Sequence, residues 1–278
     1  MKKTLLFIAT TLCFVACNKI EGPYLSQSMQ EDVEVEFPEL DPSKVYRKIL
    51  FDEYTGHTCQ NCPNGHAILN QLLEQYGDTL VAACIHAGDL AEPDPSRGFT
   101  YDFRTPTGNQ LYNDYGQPLN PGAIINRTGG ALYGENTWRN SVKNADRSLY
   151  AAIQIINQYD DVHQKLKINT KTTILEDYDQ PVQLSLLLVE DSIVKPQLFS
   201  DHVDNEYVHN HVLRAGINGN YGEYISPNGL VSKNDEYFYG YSLEFYDHDW
   251  VPERCYVIAL LLDASSRKVL QVEKVKVK

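Results

Sequence analysis

The chain has 278 residues, of which 42% are hydrophobic and 22% are charged, and its formal net charge is -13. This length and apolar content are enough for two ordinary domains with cores of their own, which excludes a chain that is disordered throughout. The acidic balance would repel phosphate backbones and anionic lipid headgroups, so nucleic acid is not an expected partner.

The N-terminus has the pattern of a lipoprotein signal peptide. Lys2 and Lys3 precede a largely apolar run that ends at Ala16 and is too short to span a bilayer. Its end resembles a bacterial lipobox, in which a small residue precedes the cysteine that is acylated. We therefore predict that residues 1–16 are removed and that Cys17 is the lipidated first residue of the mature chain. A soluble secretory signal with a chance cysteine is the alternative.

Residues 17–44 are polar, acidic and interrupted by three prolines. This composition predicts a solvated tether between the membrane and the first folded domain. Within it, Val33, Val35 and Phe37 alternate with glutamates, which leaves a short edge strand open. No later stretch approaches the roughly 20 apolar residues of a membrane helix, so lipid is the only membrane attachment that we expect.

From residue 45 the pattern is that of an α/β domain, which we place at 45–148. A buried strand over Val45–Tyr54, an amphipathic helix and a second strand over Thr79–His86 form a strand–helix–strand unit. Such a unit favours a parallel pair of strands joined by a right-handed crossover. A third strand is predicted over Ala123–Asn126, and a closing helix over Thr137–Arg147.

The rest of the chain, residues 149–278, consists of short alternating segments separated by turn residues. Leu166 and Ile168 share one face of a strand while Lys165 and Lys167 occupy the other. The number and spacing of the segments predict an immunoglobulin-like antiparallel β-sandwich. The other strand candidates are Ala151–Asn157, Val182–Glu190, Tyr207–Ala215, Glu236–Tyr246, Cys255–Asp263 and Lys268–Val277.

Chemistry is concentrated in a pair of cysteines, Cys59 and Cys62, placed where the first strand ends and the helix begins. The unpaired amides and the macrodipole at a helix start stabilise a thiolate and lower the pKa of the first cysteine. The second cysteine, one turn further in, can reach back and resolve a mixed disulfide. The spacing therefore predicts that Cys59 attacks and Cys62 resolves.

This arrangement resembles the thioredoxin superfamily, in which a strand delivers a CxxC motif to a helix and a distant cis-proline faces the disulfide. The resemblance implies that Glu53, six residues before Cys59, is a buried acid that handles the proton of the resolving cysteine, with a raised pKa. It also implies that Pro121 is the cis-proline that positions an extended substrate. Gln60-Asn61 between the cysteines, and Thr58 in place of the usual tryptophan, leave the direction of electron flow open.

The whole chain also resembles a family of lipoproteins related to the twenty-eight-kilodalton outer-membrane protein of Gram-negative anaerobes. The resembling segments are the lipobox, EYTGHTCQNCPNGH, NPGAIINR and HNHVLR. The resemblance implies a thioredoxin-like domain followed by a β-sandwich, anchored by lipid to the outer membrane. We expect exported protein thiols and disulfides and an unidentified redox partner as its partners, and no cofactor.

Other interpretations of the same residues stay open. The cysteine pair can be a local structural disulfide in a non-enzymatic binding or adhesion lipoprotein. Alternatively, four ligands within ten residues can form a zinc or copper site, namely His57, Cys59, Cys62 and His66. Cys84 and Cys255 are expected to be buried core residues. His209 and His211, two apart in one predicted strand, are more simply part of a polar sandwich face than metal ligands.

Overall fold

The computed structural model describes residues 30–278, so the predicted signal peptide and Cys17 lie outside the described residues. Three α-helices are present in this part of the chain, α1 (Cys62–Tyr76), α2 (Pro106–Asp114) and α3 (Glu135–Lys143). Its strands are β1 (Gln30–Glu31), β2 (Ile49–Thr55), β3 (Leu80–His86), β4 (Gly122–Ile125), β5 (Ala151–Asp160), β6 (Lys165–Ile174), β7 (Val182–Glu190), β8 (Ile193–Val194), β9 (Gln197–Leu198), β10 (Val203–Asp204), β11 (Val208–His209), β12 (Val212–Gly216), β13 (Glu223–Tyr224), β14 (Glu236–Glu244), β15 (Cys255–Asp263) and β16 (Val269–Lys276).

The predicted strand–helix–strand unit is confirmed. β2 pairs in parallel with β3 over its whole length, and β4 pairs antiparallel with the other edge of β2. Every residue of β2 and β3 is buried, as expected for strands that are covered on both faces. On one face Phe51 packs with Leu69 of α1 and Trp138 of α3. On the other face Leu50 and Tyr54 pack with Leu111 of α2.

The strands of the two predicted domains share one sheet. This eight-stranded sheet has the order β16-β15-β7-β12-β3-β2-β4, with β13 paired to β7 off that path. The two regions meet where β12 runs parallel to β3, with Val212 opposite Cys84. The boundary predicted at residue 149 falls between α3 and β5, and the division into two domains stays a prediction. Because one sheet crosses that division, residues far apart in sequence can reach the same end of β2 and β3.

A second, antiparallel sheet of four strands, in the order β1-β14-β6-β5, lies over part of the first sheet. The core between the two layers contains Leu166 and Ile168 of β6, Leu243 of β14, Leu186 of β7 and Val257 of β15. The buried positions of β6 mostly alternate with more exposed ones, as the pleat of a strand requires, whereas β14 has a continuous buried run in its second half. The β-rich architecture with mixed and antiparallel sheets is therefore confirmed.

The expected tether differs from a solvated spacer over its described part. β1 pairs with β14 at the edge of the four-stranded sheet. The Phe37 ring lies 6.0 Å from that of Phe238, and Lys167 Nζ lies 2.7 Å from Glu34 Oε2. These contacts hold residues 30–37 against the sheet, and the edge strand suggested around Val35 forms earlier in the chain instead. Alternation of apolar and acidic residues was too weak a signal to place it.

A second correction concerns the strand predicted over Tyr207–Ala215. The structure divides it into β11 and β12, because His211 has a positive φ of 57°. β11 pairs with β8, while β12 joins the large sheet. His209 and His211 therefore do not share one strand face.

Candidate functional site

The cysteine pair lies at the start of α1, next to the end of β2. Cys59 and Cys62 form a disulfide with a Cα–Cα distance of 5.4 Å. Cys59 belongs to the turn before the helix, and Cys62 is the first helical residue, with its backbone N–H donating to the Cys59 carbonyl at 3.3 Å. Pro63 follows at a position where the helix needs no backbone donor. The strand end, turn and helix start are where the sequence predicted them.

Pro121 lies against the first turns of the same helix. The Asn120–Pro121 peptide bond is cis, and the next residue, Gly122, stands opposite Tyr54 of β2. A Cβ atom placed on Gly65 of α1 would lie 2.8 Å from Pro121 Cβ and 2.7 Å from Glu53 Oε1. Only glycine fits this close approach of helix, strand and proline loop. The structure thus brings together Glu53, the first turns of α1 and Pro121.

Glu53 is fully buried beneath this part of α1. Its Oε2 accepts a hydrogen bond from Cys84 Sγ at 3.5 Å, while Oε1 has no hydrogen-bond partner among the described residues. Burial raises the pKa of Glu53 to about 8, and the Cys84 hydrogen bond lowers it only in part. The side chain is therefore mostly protonated at neutral pH. Burial of a poorly partnered carboxyl is costly, and such groups are concentrated at functional sites.

Cys84 is buried, as expected, but it is also part of the site. It stands opposite Glu53 in the parallel pairing of β2 with β3, and burial raises the pKa of its thiol well above the usual range. The sequence contained a signal for this contact, since both residues occupy equivalent positions in neighbouring parallel strands. Cys255 is a free, buried cysteine of β15, packed in the sandwich core.

A segment from the second region closes the site, and no pattern in the sequence predicted it. We call residues 193–209, which contain β8 to β11, the covering segment. The backbone N–H of Leu198 donates to the His57 carbonyl at 2.8 Å, and Gln197 Nε2 donates to the Cys59 carbonyl at 3.0 Å. Cys59 is only 3% exposed and Cys62 is 0% exposed. Both cysteines are therefore almost completely removed from solvent.

Histidines and aromatic rings fill the space between the covering segment and β3. The ring of His86 stacks on Phe103 with centroids 4.4 Å apart, and His209 lies 4.6 Å from Phe103 and 5.6 Å from His86. Burial lowers the pKa of His66 to about 4 and that of His209 to about 3, and it lowers that of His86 well below the usual value. These imidazoles are therefore uncharged at neutral pH.

The four ligands of the zinc or copper hypothesis do not converge. His57 packs against Phe99 and Phe103. In contrast, His66 is hydrogen-bonded to Thr55 Oγ1 at 2.8 Å and to the Tyr207 hydroxyl at 2.7 Å. The two cysteines are bonded to each other. Within residues 30–278 no group of three or more histidine, cysteine, aspartate or glutamate side chains is arranged to hold a metal ion.

A sequence model described as outer membrane protein Omp28 matches residues 108–278, more than half of the chain. The chain belongs to the Omp28 family. The resemblance noticed in the sequence is thereby confirmed, and so is an association with the outer membrane. The matched part of this Omp28-family protein contains Pro121 and the covering segment, whereas the cysteine pair precedes it. No helix among residues 30–278 is long and apolar enough to cross a bilayer.

Solved structures similar to this Omp28-family protein show its fold. HBP35 of Porphyromonas gingivalis superposes with a TM-score of 0.64 at 13% identity, over 83% of this chain and 75% of its own. A protein from Agrobacterium tumefaciens has a TM-score of 0.51 at 12% identity, over 84% of this chain and 96% of its own. A domain of the outer membrane lipoprotein Omp28 from Porphyromonas gingivalis is 27% identical, over 47% of this chain and 89% of its own, with a TM-score of 0.33. No curated protein matches the chain.

Proposed function

We propose that this protein is a thiol-disulfide oxidoreductase, anchored to the outer membrane by a lipid on Cys17, which acts on disulfides of exported proteins. In this proposal residues 45–148 are a thioredoxin-like domain and residues 149–278 an immunoglobulin-like sandwich. Cys59 is the nucleophile, Cys62 resolves the mixed disulfide, Glu53 handles its proton and Pro121 positions the client.

The observation that carries the proposal is the environment of Glu53. A fully buried carboxyl with an unpartnered Oε1 and a pKa raised to about 8 lies beneath the helix turn that follows the cysteine pair. A disulfide that only closes a local loop does not need a buried carboxyl that can release and rebind a proton near neutral pH. An enzyme needs one, because the buried resolving cysteine must lose its proton before it attacks.

The proposed reaction with a client disulfide has two steps. In the first step the thiolate of reduced Cys59 attacks one client sulfur, so that a Cys59–client disulfide forms and the other client sulfur leaves as a thiolate. In the second step Cys62 gives its proton to the ionised form of Glu53 and attacks Cys59 Sγ. The Cys59–Cys62 bond forms, the client is released as a dithiol after protonation, and two electrons have moved to the client. An external dithiol reductant must then reduce the pair again.

The position of the pair supports the first step. Cys59 lies in the turn before Cys62, the first helical residue, at the end of the helix where the dipole stabilises negative charge. The covering segment must move for a client to reach the sulfur, because only 3% of Cys59 is exposed. The hydrogen bonds of Gln197 and Leu198 are the contacts that such movement breaks.

Trapping of mixed disulfides tests the proposal. Cys62→Ser removes the resolving thiol, so client proteins should accumulate on Cys59 as adducts that reducing agent releases, detected by non-reducing electrophoresis of cell envelopes. The control is the double variant Cys59→Ser, Cys62→Ser, which should give no adducts. Absence of adducts for the single variant during oxidising growth would contradict the proposal.

A second candidate function is a binding lipoprotein in which the disulfide is a structural staple. The burial of both sulfurs under the covering segment favours it. It requires that the native disulfide resist dithiothreitol until the protein unfolds. Reduction of the folded protein, followed by thiol labelling, decides between the two: rapid reduction supports the enzyme, and reduction that tracks global unfolding supports the staple.

A further inference from the structure

We propose that His66 is the residue through which Glu53 exchanges its proton with solvent, and that Tyr207 of the covering segment holds the His66 ring in place for this transfer. The inference rests on the proposed function and extends it. Because His66 acts on the cysteines only through Glu53, it is a positioning residue for the reaction.

Glu53 needs such a route because it has no access of its own. Its side chain is 0% exposed, whereas that of His66 is 13% exposed. Both residues line one cavity of about 20 Å³, together with Cys84, His86 and Tyr207. A space of this size holds about one water molecule. The cavity is therefore the way from the carboxyl to the surface.

The distances favour His66 as the carrier. His66 Nε2 lies 3.9 Å from Glu53 Oε1, about 1 Å longer than a hydrogen bond, so a small side-chain shift or one bridging water connects them. Glu53 Oε1 is the oxygen that has no partner among the described residues. The structure thus leaves free the carboxyl oxygen that faces the imidazole.

The ring of His66 is held from two sides. Its Nε2 is 2.8 Å from Thr55 Oγ1 and its Nδ1 is 2.7 Å from the Tyr207 hydroxyl. Both hydroxyls can donate or accept, so either neutral tautomer of the imidazole is satisfied. The ring can therefore accept a proton at one nitrogen and release a proton from the other without losing its position.

Other titratable groups around His66 are less suited to this role. They are Glu53, Cys84 and His86 on β2 and β3, and Tyr207, His209 and His211 at and just beyond the end of the covering segment. His86 and His209 are only 3% and 2% exposed, and the ring of His209 is 6.5 Å from that of His66. Both are therefore less accessible to solvent than His66.

The proton balance is simple. Glu53 starts protonated at neutral pH, so it first passes its proton to a nitrogen of His66, and the other nitrogen gives one proton to solvent. When Cys62 attacks the mixed disulfide, its proton moves to the Glu53 carboxylate that this transfer leaves. The site returns to its starting protonation state, and the released client thiolate takes a proton from solvent.

The two chemical steps can be separated with dithiobis(nitrobenzoate) and the reduced full-length protein in stopped flow. Cys59 releases a first thionitrobenzoate, and attack by Cys62 on the resulting mixed disulfide releases a second. His66→Gln should leave the first release unchanged and slow the second about tenfold at neutral pH. Added imidazole or a higher buffer concentration should restore the rate, while the wild-type rate should not depend on buffer.

Two further variants keep the test decisive. His163→Gln is the matched control, because His163 is an exposed histidine in a turn of the sandwich, and it should behave as wild type. Tyr207→Phe removes only the hydroxyl that holds Nδ1, and it should slow the second release by about threefold with the same rescue by imidazole.

The outcomes separate the role of His66 from the proposed oxidoreductase activity. If His66→Gln and Tyr207→Phe release the second thionitrobenzoate at the wild-type rate, or are slowed without rescue by imidazole, His66 does not carry the proton. If Glu53→Gln also matches wild type, Glu53 does not handle the Cys62 proton and the role of His66 falls with it. If wild type gives no second release, the oxidoreductase proposal itself fails.

Discussion

Two neighbouring carboxyl groups, on opposite faces of β2, have different surroundings. Asp52 faces away from α1 and is paired with Arg127, whose Nε lies 2.8 Å from Asp52 Oδ2, with both side chains 0% exposed. Glu53 faces α1 and has no cation beside it, only the thiol of Cys84 and a neutral histidine. The first arrangement keeps a buried charge compensated. The Glu53 carboxyl, in contrast, holds a proton that it can release. This property serves an acid–base reaction and does not stabilise the fold.

Removing the cation that pairs with Asp52 should cost the protein more stability than any other change proposed here. Arg127→Met leaves Asp52 buried without its cation and should lower the free energy of unfolding by about 3–5 kcal/mol, measured by urea denaturation. The double variant Asp52→Asn, Arg127→Met is the control and should recover part of this loss. A single variant as stable as wild type would show that the pair does not hold the charge.

On the Glu53 face, pH should separate wild type from Glu53→Gln. The folded pKa of about 8 lies above the ordinary value of 4.5, so the folded state binds this proton more tightly than the unfolded state. The resulting stability is fully present below about pH 4.5 and is lost as the pH rises through 8. We expect wild type to lose on the order of 4 kcal/mol more than Glu53→Gln between these limits, measured by denaturation at each pH. Parallel curves would place the pKa of Glu53 near its ordinary value.

The close approach of α1 to Glu53 and Pro121 gives the next prediction. Gly65→Ala should lower the free energy of unfolding by about 1–3 kcal/mol, because its Cβ would lie 2.7 Å from Glu53 Oε1. Gly130→Ala is the control, since a Cβ there meets nothing within 4 Å. Thermal unfolding of both variants measures the difference, and equal midpoints would mean that the helix is not seated on the carboxyl.

The smallest expected effect concerns access to the disulfide. Gln197→Ala removes the donor to the Cys59 carbonyl, a bond worth about 1 kcal/mol, so native-state reduction by dithiothreitol should accelerate about fivefold. Gln154→Ala, which removes a similar bond to the Pro38 carbonyl at 2.9 Å, should leave the rate unchanged. If both variants are reduced at the wild-type rate, the covering segment does not limit access.

Local patterns predicted the strands and helix that carry the cysteines, because apolar periodicity and a helix-start proline act over a few residues. β7 and β15 have the predicted bounds, and β2 begins four residues later than predicted, at Ile49. The position of Glu53 followed from its spacing to Cys59 in a resembling family. The placement of Pro121 at the site followed from the same resemblance and from its position before a short strand.

The covering segment could not be found in this way. Its strands β8 to β11 have two residues each, too short for any period, and its hydrogen bonds to the cysteine turn come from the backbone of Leu198 and the side chain of Gln197. Tyr207 and His209 reach the site only because β12 attaches to β3, a pairing between distant parts of the chain. Such closure depends on tertiary structure, and a shared sheet across a predicted domain boundary leaves no mark in composition.

The sequence separation between the cysteine turn and its cover sets an order of events during secretion. Gln197 lies 138 residues after Cys59, and chains are threaded through export machinery and begin to fold from the N-terminus. The two thiols therefore enter the envelope while the residues that will close over them are still in transit. The two thiols are most accessible to an oxidant in that interval, before the covering segment folds over them.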